Sequence, residues 1–187
     1  MRIVTVASLV LLAVCSAWAQ ERKLEIGAQV AIAAPGEFDG GDVGVGARLA
    51  WKPSALVGVE GEVDVYPAGF PDDRTPFSGS RFEALFGVTL GPRLGIIRPF
   101  GRVRPGALRY GEAPGPIACI LIFPPPLSCQ LAAGQTLFVV DVGGGIEIDV
   151  SRRTYVRIDV GDRIVRYPEP SPIGHDTRVA FGLGVRF

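Results

Sequence analysis

Asp176-Thr177-Arg178-Val179-Ala180-Phe181-Gly182-Leu183-Gly184-Val185-Arg186-Phe187 is the stretch that decides the fold. Val179, Phe181, Leu183, Val185 and Phe187 share one parity, and Arg178, Ala180, Gly182, Gly184 and Arg186 share the other. A period of two is the signature of a strand, here with one greasy face and one small or cationic face. An unpaired strand of this kind in water is an aggregation hazard. A strand with lipid on its greasy side is not.

The rest of the chain repeats the pattern. Alternating segments run over 23–34, 43–52, 55–66, 81–90, 96–110, 136–150, 154–167 and 176–187. In the third, Val57, Val59, Val63 and Val65 oppose Glu60, Glu62, Asp64 and Tyr66. In the sixth, Phe138, Val140, Val142, Ile146 and Ile148 oppose Asp141, Gly143, Gly145, Glu147 and Asp149. The fifth is the least regular. Pro99 and Pro105 each lack a ladder donor, so a bulge or a locally unpaired stretch is expected there. The connections alternate long and short, with tight turns expected at Pro53-Ser54, Gly91–Gly95 and Ser151-Arg152-Arg153. Together these features predict an all-β fold, an eight-stranded antiparallel up-and-down barrel. Closure leaves neither sheet edge exposed.

Composition narrows the class. Lys+Arg and Asp+Glu are both 19, so no net charge favours nucleic acid as a partner. Glycine at 25 and methionine at one fit closely paired strands better than helices. Arg2, the apolar run Ile3–Val14 and Ala17-Trp18-Ala19 read as a signal peptide, residues 1–19, cleaved before Gln20. Residues 20–187 are then one barrel domain. Cys15 leaves with the leader, and export leaves Cys119 and Cys129 as a disulfide pair. On the chain-entropy account that bridge is worth about 2–3 kcal/mol. The uncharged stretch 113–140 is long, but Pro114, Pro116 and Pro124-Pro125-Pro126 exclude a spanning helix, leaving a loop.

Which parity faces out decides between membrane and water. Inward Val, Ile, Leu, Phe and Trp from eight strands would overfill so narrow a lumen. Glycines cluster on the charged parity, where they relieve crowding. The charges also alternate by strand. Acidic Glu60, Glu62 and Asp64 adjoin Arg48 and Lys52, while Arg98, Arg102 and Arg104 adjoin Asp141, Glu147 and Asp149. Arg157 and Asp159 share the seventh segment. Arg178 is expected to meet Asp159, and Arg186 to meet Glu25 after closure. Trp51, Phe82, Phe138 and Phe187 lie near strand ends on the apolar parity, as aromatic girdles do. These features predict a transmembrane barrel with an ion-paired lumen, bounded by outer-membrane lipid.

The leader, the eight-segment meander, the alternating loop lengths and the terminal Val179-x-Phe181-x-Leu183-x-Val185-x-Phe187 resemble the small outer-membrane barrels of the OmpA/OmpX type. The resemblance implies residence in the outer membrane of a didermic bacterium. It also implies delivery by periplasmic chaperones and insertion by a barrel-assembly machinery that reads those five residues. The long loops would then face outward. The stretch 114–134, a stiff apolar knob, is the candidate surface for an extracellular partner. No peptidoglycan-binding domain follows the barrel segments in this sequence.

Enzymatic readings are weaker. The carboxylates Glu60, Glu62, Asp64, Asp141, Glu147 and Asp149 are numerous enough for acid/base work. Buried acids, however, need cationic partners, and each has one on a neighbouring strand. His175, the single histidine, lies near Ser171 and Asp176 without a fixed nucleophile. No cofactor or metal set is apparent. The glycine runs Gly40-Gly41 and Gly143-Gly144-Gly145 precede neither a helix nor a Lys-Ser/Thr. The sequence points to a non-enzymatic barrel serving envelope integrity or surface interaction. The alternatives are a soluble periplasmic ligand-binding barrel, a narrow porin and a lipid-modifying barrel enzyme.

Overall fold

The computed structural model describes residues 23–36, 41–67, 80–112, 131, 133–168 and 173–187. Eight strands follow in order: β1 Leu24–Pro35, β2 Asp42–Trp51, β3 Val57–Tyr66, β4 Arg81–Leu90, β5 Ile97–Tyr110, β6 Thr136–Asp149, β7 Thr154–Val165 and β8 Gly174–Arg186. Each pairs antiparallel with its sequence neighbours, and β8 returns to β1, closing the barrel. The expected segments and the observed strands agree to within about two residues at each end.

The registers define the geometry. From Leu24, successive partners are Trp51, Val59, Val88, Val103, Val142, Asp162 and Thr177, and Thr177 faces Ala34 back on β1. One circuit therefore climbs from Leu24 to Ala34, a stagger of ten residues along β1. With about 3.3 Å per residue and about 4.8 Å per strand, that stagger tilts the strands by roughly 40°.

Short connections share one rim with Lys23 and Phe187. At 150–153 the Ser151 Oγ accepts from the backbone N–H of Arg153 at 3.1 Å and of Thr154 at 3.0 Å. At 91–96, Leu94 and Ile97 form a two-way backbone bridge, with Gly95 at φ 67° in the left-handed region that glycine adopts freely. The connection after β2 is wider than a tight turn. It runs over 52–56, and Ser54 Oγ accepts from Leu56 and Val57 N–H at 3.3 and 3.0 Å.

β5 is locally unpaired, without a bulge. Its ladder to β6 runs unbroken through Pro99 and Pro105. On the β4 side the pairing lapses between Leu85↔Gly106 and Val88↔Val103, and the register is the same on both sides of the gap. Pro105 has no N–H to give there. A Cβ on Gly87 would sit 2.1 Å from the Val103 carbonyl oxygen and 2.6 Å from Arg104 Cα, so only glycine admits the strand this closely.

The outer wall is apolar. Ile26, Val30, Val45, Leu49, Phe86, Val88, Val103, Phe138, Ile146, Val160, Phe181 and Leu183 are all exposed. Among the described residues the buried apolar side chains gather mainly in two clusters, with Ala50, Phe100 and Tyr155 set among the charges. One joins Leu85, Leu108, Tyr110, Leu131, Leu137, Val139, Val165 and Tyr167 toward the long-loop rim. The other joins Ala31, Ala33, Tyr66 and Ala180. Most of the remaining lumen is charged. Among the described residues no helix is long and apolar enough to cross a membrane.

Candidate functional site in the lumen and at the rims

Alternation puts every second residue of each strand inside, and closure gathers those side chains into one column. Buried there are Glu25, Glu60, Glu62, Asp64, Glu83, Asp141, Glu147, Asp159 and Asp176, with Arg48, Lys52, Arg81, Arg98, Arg102, Arg104, Arg157, Arg163, Arg178 and Arg186. The two signs nearly balance, as a water-poor interior demands.

The network has three hubs. Near the short-turn rim, Glu147 takes Lys52 at 2.6 Å and Arg186, Arg98 and Arg157 at 3.3 to 3.4 Å. Glu25 takes Arg186 at 2.6 Å and Lys52 at 2.8 Å. Asp149, at the rim, meets Arg186 and Arg93. At mid-height, Glu60 accepts both Nη atoms of Arg157, at 2.8 and 3.1 Å, with Arg104 at 3.2 Å and Arg48 at 3.4 Å. Asp141 receives Nε of Arg102 at 2.7 Å and Nη2 of Arg104 at 2.8 Å. Higher up, Arg178 reaches Glu62 at 2.5 Å and Asp64 at 2.6 Å, while Gln29 donates to Asp64 at 2.8 Å. Asp159 sits among these layers, 2.8 Å from Arg157 and in contact with Arg102.

Two features of this arrangement go beyond strand-neighbour reasoning. Arg178 lies 3.8 Å from Asp159, its expected partner, but its short contacts are to Glu62 and Asp64 on β3, not a neighbour of β8. Likewise Arg157 on β7 crosses to Glu60 on β3. The lumen is about one long side chain wide, so a guanidinium reaches the opposite wall as easily as the next strand. The second feature is a layer absent from the sequence expectation. Arg163 joins Glu83 at 2.9 Å to Asp176 at 2.7 Å, and Arg81 meets Asp42. All four tyrosines, Tyr66, Tyr110, Tyr155 and Tyr167, also point inward and are buried. Their parity was the available signal. Tyr155 lies across from Gly184 and fills the space a side chain there would need, and Arg186 stacks on its ring at 4.3 Å.

Chemically, this column is a packed set of paired charges, each at most 8% exposed. The apolar cluster around Leu108 and Val139 caps it toward the long loops, and Leu131, fully buried, brings the base of the 111–135 connection into that cap. Among the described residues no group of His, Cys, Asp and Glu is arranged to hold a metal. His175 is outside the column. It lies on the outer wall, with Nδ1 2.7 Å from Asp162 Oδ2.

The five alternating residues of β8 have different surroundings. Phe181, Leu183, Val185 and Phe187 are exposed on the outer wall at 48%, 67%, 37% and 63%, and Val179 is half-buried beside them. The backbone N–H of Phe187 donates to Leu24 at 2.8 Å, locking the seam. Cys119, Cys129, the leader 1–19 and nearly all of 114–134 lie outside the described residues.

A closed antiparallel barrel with an apolar exterior and an ion-paired core is the architecture of the small outer-membrane barrels. Comparison with solved structures gives the same fold. Outer membrane protein OprG from Pseudomonas aeruginosa aligns over 90% of this chain and 97% of its own, at 12% identity and a TM-score of 0.55. Neisserial surface protein A aligns over 88% and 96%, at 14% identity and 0.52. Ail, the attachment invasion locus protein of Yersinia pestis, aligns over 88% and 97%, at 13% identity and 0.52. No protein-family model and no curated protein matches the sequence.

Proposed function

We propose that this chain is a non-enzymatic outer-membrane barrel of a didermic bacterium. It is exported by the leader 1–19, inserted through recognition of its β8 terminus, and displays its long loops outside. The observation that carries this reading is the inversion of the two faces. A row of large apolar side chains meets the surroundings while ten cationic side chains are buried, and water would favour the reverse. In lipid every backbone group must be satisfied within the protein, and a closed ladder does that. The ion-paired column and the apolar cap oppose steady conduction. The part of the molecule left to act is the set of long loops, with 114–134, stiffened by a Cys119–Cys129 bridge, as the surface for an extracellular partner. Two of the structural neighbours are outer-membrane or surface proteins by name, and a third is named for attachment and invasion, which supports a surface role.

Fractionation of cells expressing the full chain tests the reading. The mature protein should begin at Gln20, partition with the outer membrane, and migrate faster in gels before boiling than after. Recovery in the periplasmic soluble fraction would refute it.

A further inference from the structure

We propose that Arg109 and Arg166, flanking Phe138, form a binding site for the phosphate of an anionic lipid at the long-loop rim. This deepens the membrane reading above and rests on it. The outer wall is apolar around most of its circumference. On β1 to β4 its long-loop end carries Ile32, Val43, Val65 and Phe82, and no cation. On β5 to β7 the same level carries two exposed arginines.

The registers bring them together. Arg109 faces Thr136, and the N–H of Arg166 donates to the Phe138 carbonyl at 3.0 Å, so Phe138 lies on the strand between the two arginines. Arg109 sits one outward position farther along its strand, which raises it by about 5 Å. The tilt lifts β7 above β5 by about 6 Å. The two effects offset each other, so the two arginines leave the barrel wall at one height, on strands about 10 Å apart. Side chains of that length can converge on a single phosphate. Phe138, exposed between them, offers its ring to the acyl chains just below.

Charge complementarity names the occupant. Neither guanidinium forms an ion pair among the described residues. The outward carboxylate of β7, Asp162, is engaged by His175. An unpaired arginine at a hydrocarbon boundary seeks an anion, and arginine grips phosphate through two parallel N–H bonds. A lipid headgroup presents phosphate at that depth, with its chains against Phe138.

Native mass spectrometry of the folded chain in detergent tests this, with phosphatidic acid as probe and phosphatidylcholine as reference. The wild type should retain phosphatidic acid preferentially. Arg109→Gln and Arg166→Gln should each weaken retention about fivefold, and the double variant should fall to the phosphatidylcholine level. Arg153→Gln, on the opposite rim, should leave retention unchanged. Heat-modifiable mobility checks that each variant is folded. Undiminished retention by the double variant, an equal loss in Arg153→Gln, or displacement of the probe by millimolar inorganic phosphate would overturn the site. Insertion of the wild type into phosphatidylcholine vesicles separates the two layers of the inference. If the chain inserts but shows no preference for phosphatidic acid, the site alone fails. If it does not insert, the membrane reading fails and takes the site with it.

Discussion

Replacing Glu60 with glutamine keeps the shape of the side chain and removes its charge. Glu60 is the mid-height hub of the lumen, with Arg157 at 2.8 Å, Arg104 at 3.2 Å and Arg48 at 3.4 Å. Its side chain is only 1% exposed, so water cannot take over the lost interactions. Removing one member of a buried ion pair typically costs about 3–5 kcal/mol, because the remaining charge stays buried and uncompensated. Arg104 keeps Glu62 and Asp141, and Arg157 keeps Asp159 and Glu147. Arg48 keeps Tyr155, through a donated hydrogen bond to Oη at 2.5 Å and a place over its ring at 5.5 Å, but no carboxylate among the contacts described. The expected loss is therefore about 3 kcal/mol, the lower end of that range, or more than a hundredfold in the unfolding equilibrium. Urea titration of the barrel refolded in detergent micelles or phospholipid vesicles, followed by tryptophan fluorescence, measures it. The double variant Glu60→Gln/Arg48→Gln should recover part of the loss, since it removes the cation left most exposed to the change. A Glu60→Gln midpoint within 1 kcal/mol of wild type would refute the idea that the lumen is a dry, charge-matched column.

Backbone proximity makes a separate set of demands. A Cβ on Gly145 would sit 2.2 Å from the Ile158 carbonyl oxygen and 2.6 Å from Asp159 Cβ, so Gly145→Val should abolish heat-modifiable folding. Gly95→Ala meets no atom within 4 Å but must hold a left-handed φ of 67°, so it should fold with a cost of about 1 kcal/mol by urea titration. Leu131→Asp would put a carboxylate into the apolar cap, and it should lower stability by about 2–4 kcal/mol while speeding proteolysis within 111–135. Phe187→Ala should slow insertion in cells while leaving detergent refolding nearly unchanged. Equal slowing in both settings would mean that Phe187 acts through packing and is no recognition signal.

The fold was legible because its cause is local. A strand with one buried face and one apolar outer face imposes a period of two, and β8 shows that period without a break from Val179 to Phe187. The loop lengths then place consecutive strands side by side. Arg178 illustrates where local reasoning ends. The sequence names its neighbours, β7 and β1, but its short contacts lie on β3, and only the barrel diameter decides that. Arg163 and Asp176 have the same origin. Nothing in the order of residues says that β7, β8 and β4 meet at one height, since this follows from the stagger. Pro105 shows a partial reading. A missing donor predicts a gap, but the gap opens toward β4 and leaves the β6 ladder whole because of the side to which its nitrogen points.

The seam between β1 and β8 has a mechanical consequence. Lys23 and Phe187 leave the barrel at the same rim, on antiparallel strands joined from Glu25↔Arg186 to Pro35↔Asp176. Tension between the two ends would load the hydrogen bonds of that seam one rung at a time, like a zipper, and would not stretch them in parallel. The first rungs also carry the Glu25–Arg186 ion pair, which is where such a load would first be resisted. Once it yields, the inward side of the next rungs holds mainly glycine and alanine, at Gly27, Gly184, Gly182, Ala31 and Ala180, and these rungs should peel at low force until Arg178, held to Glu62 and Asp64, is reached. The barrel would therefore be tough toward heat and denaturant, which must disrupt the whole column, and weak toward a pull at its ends.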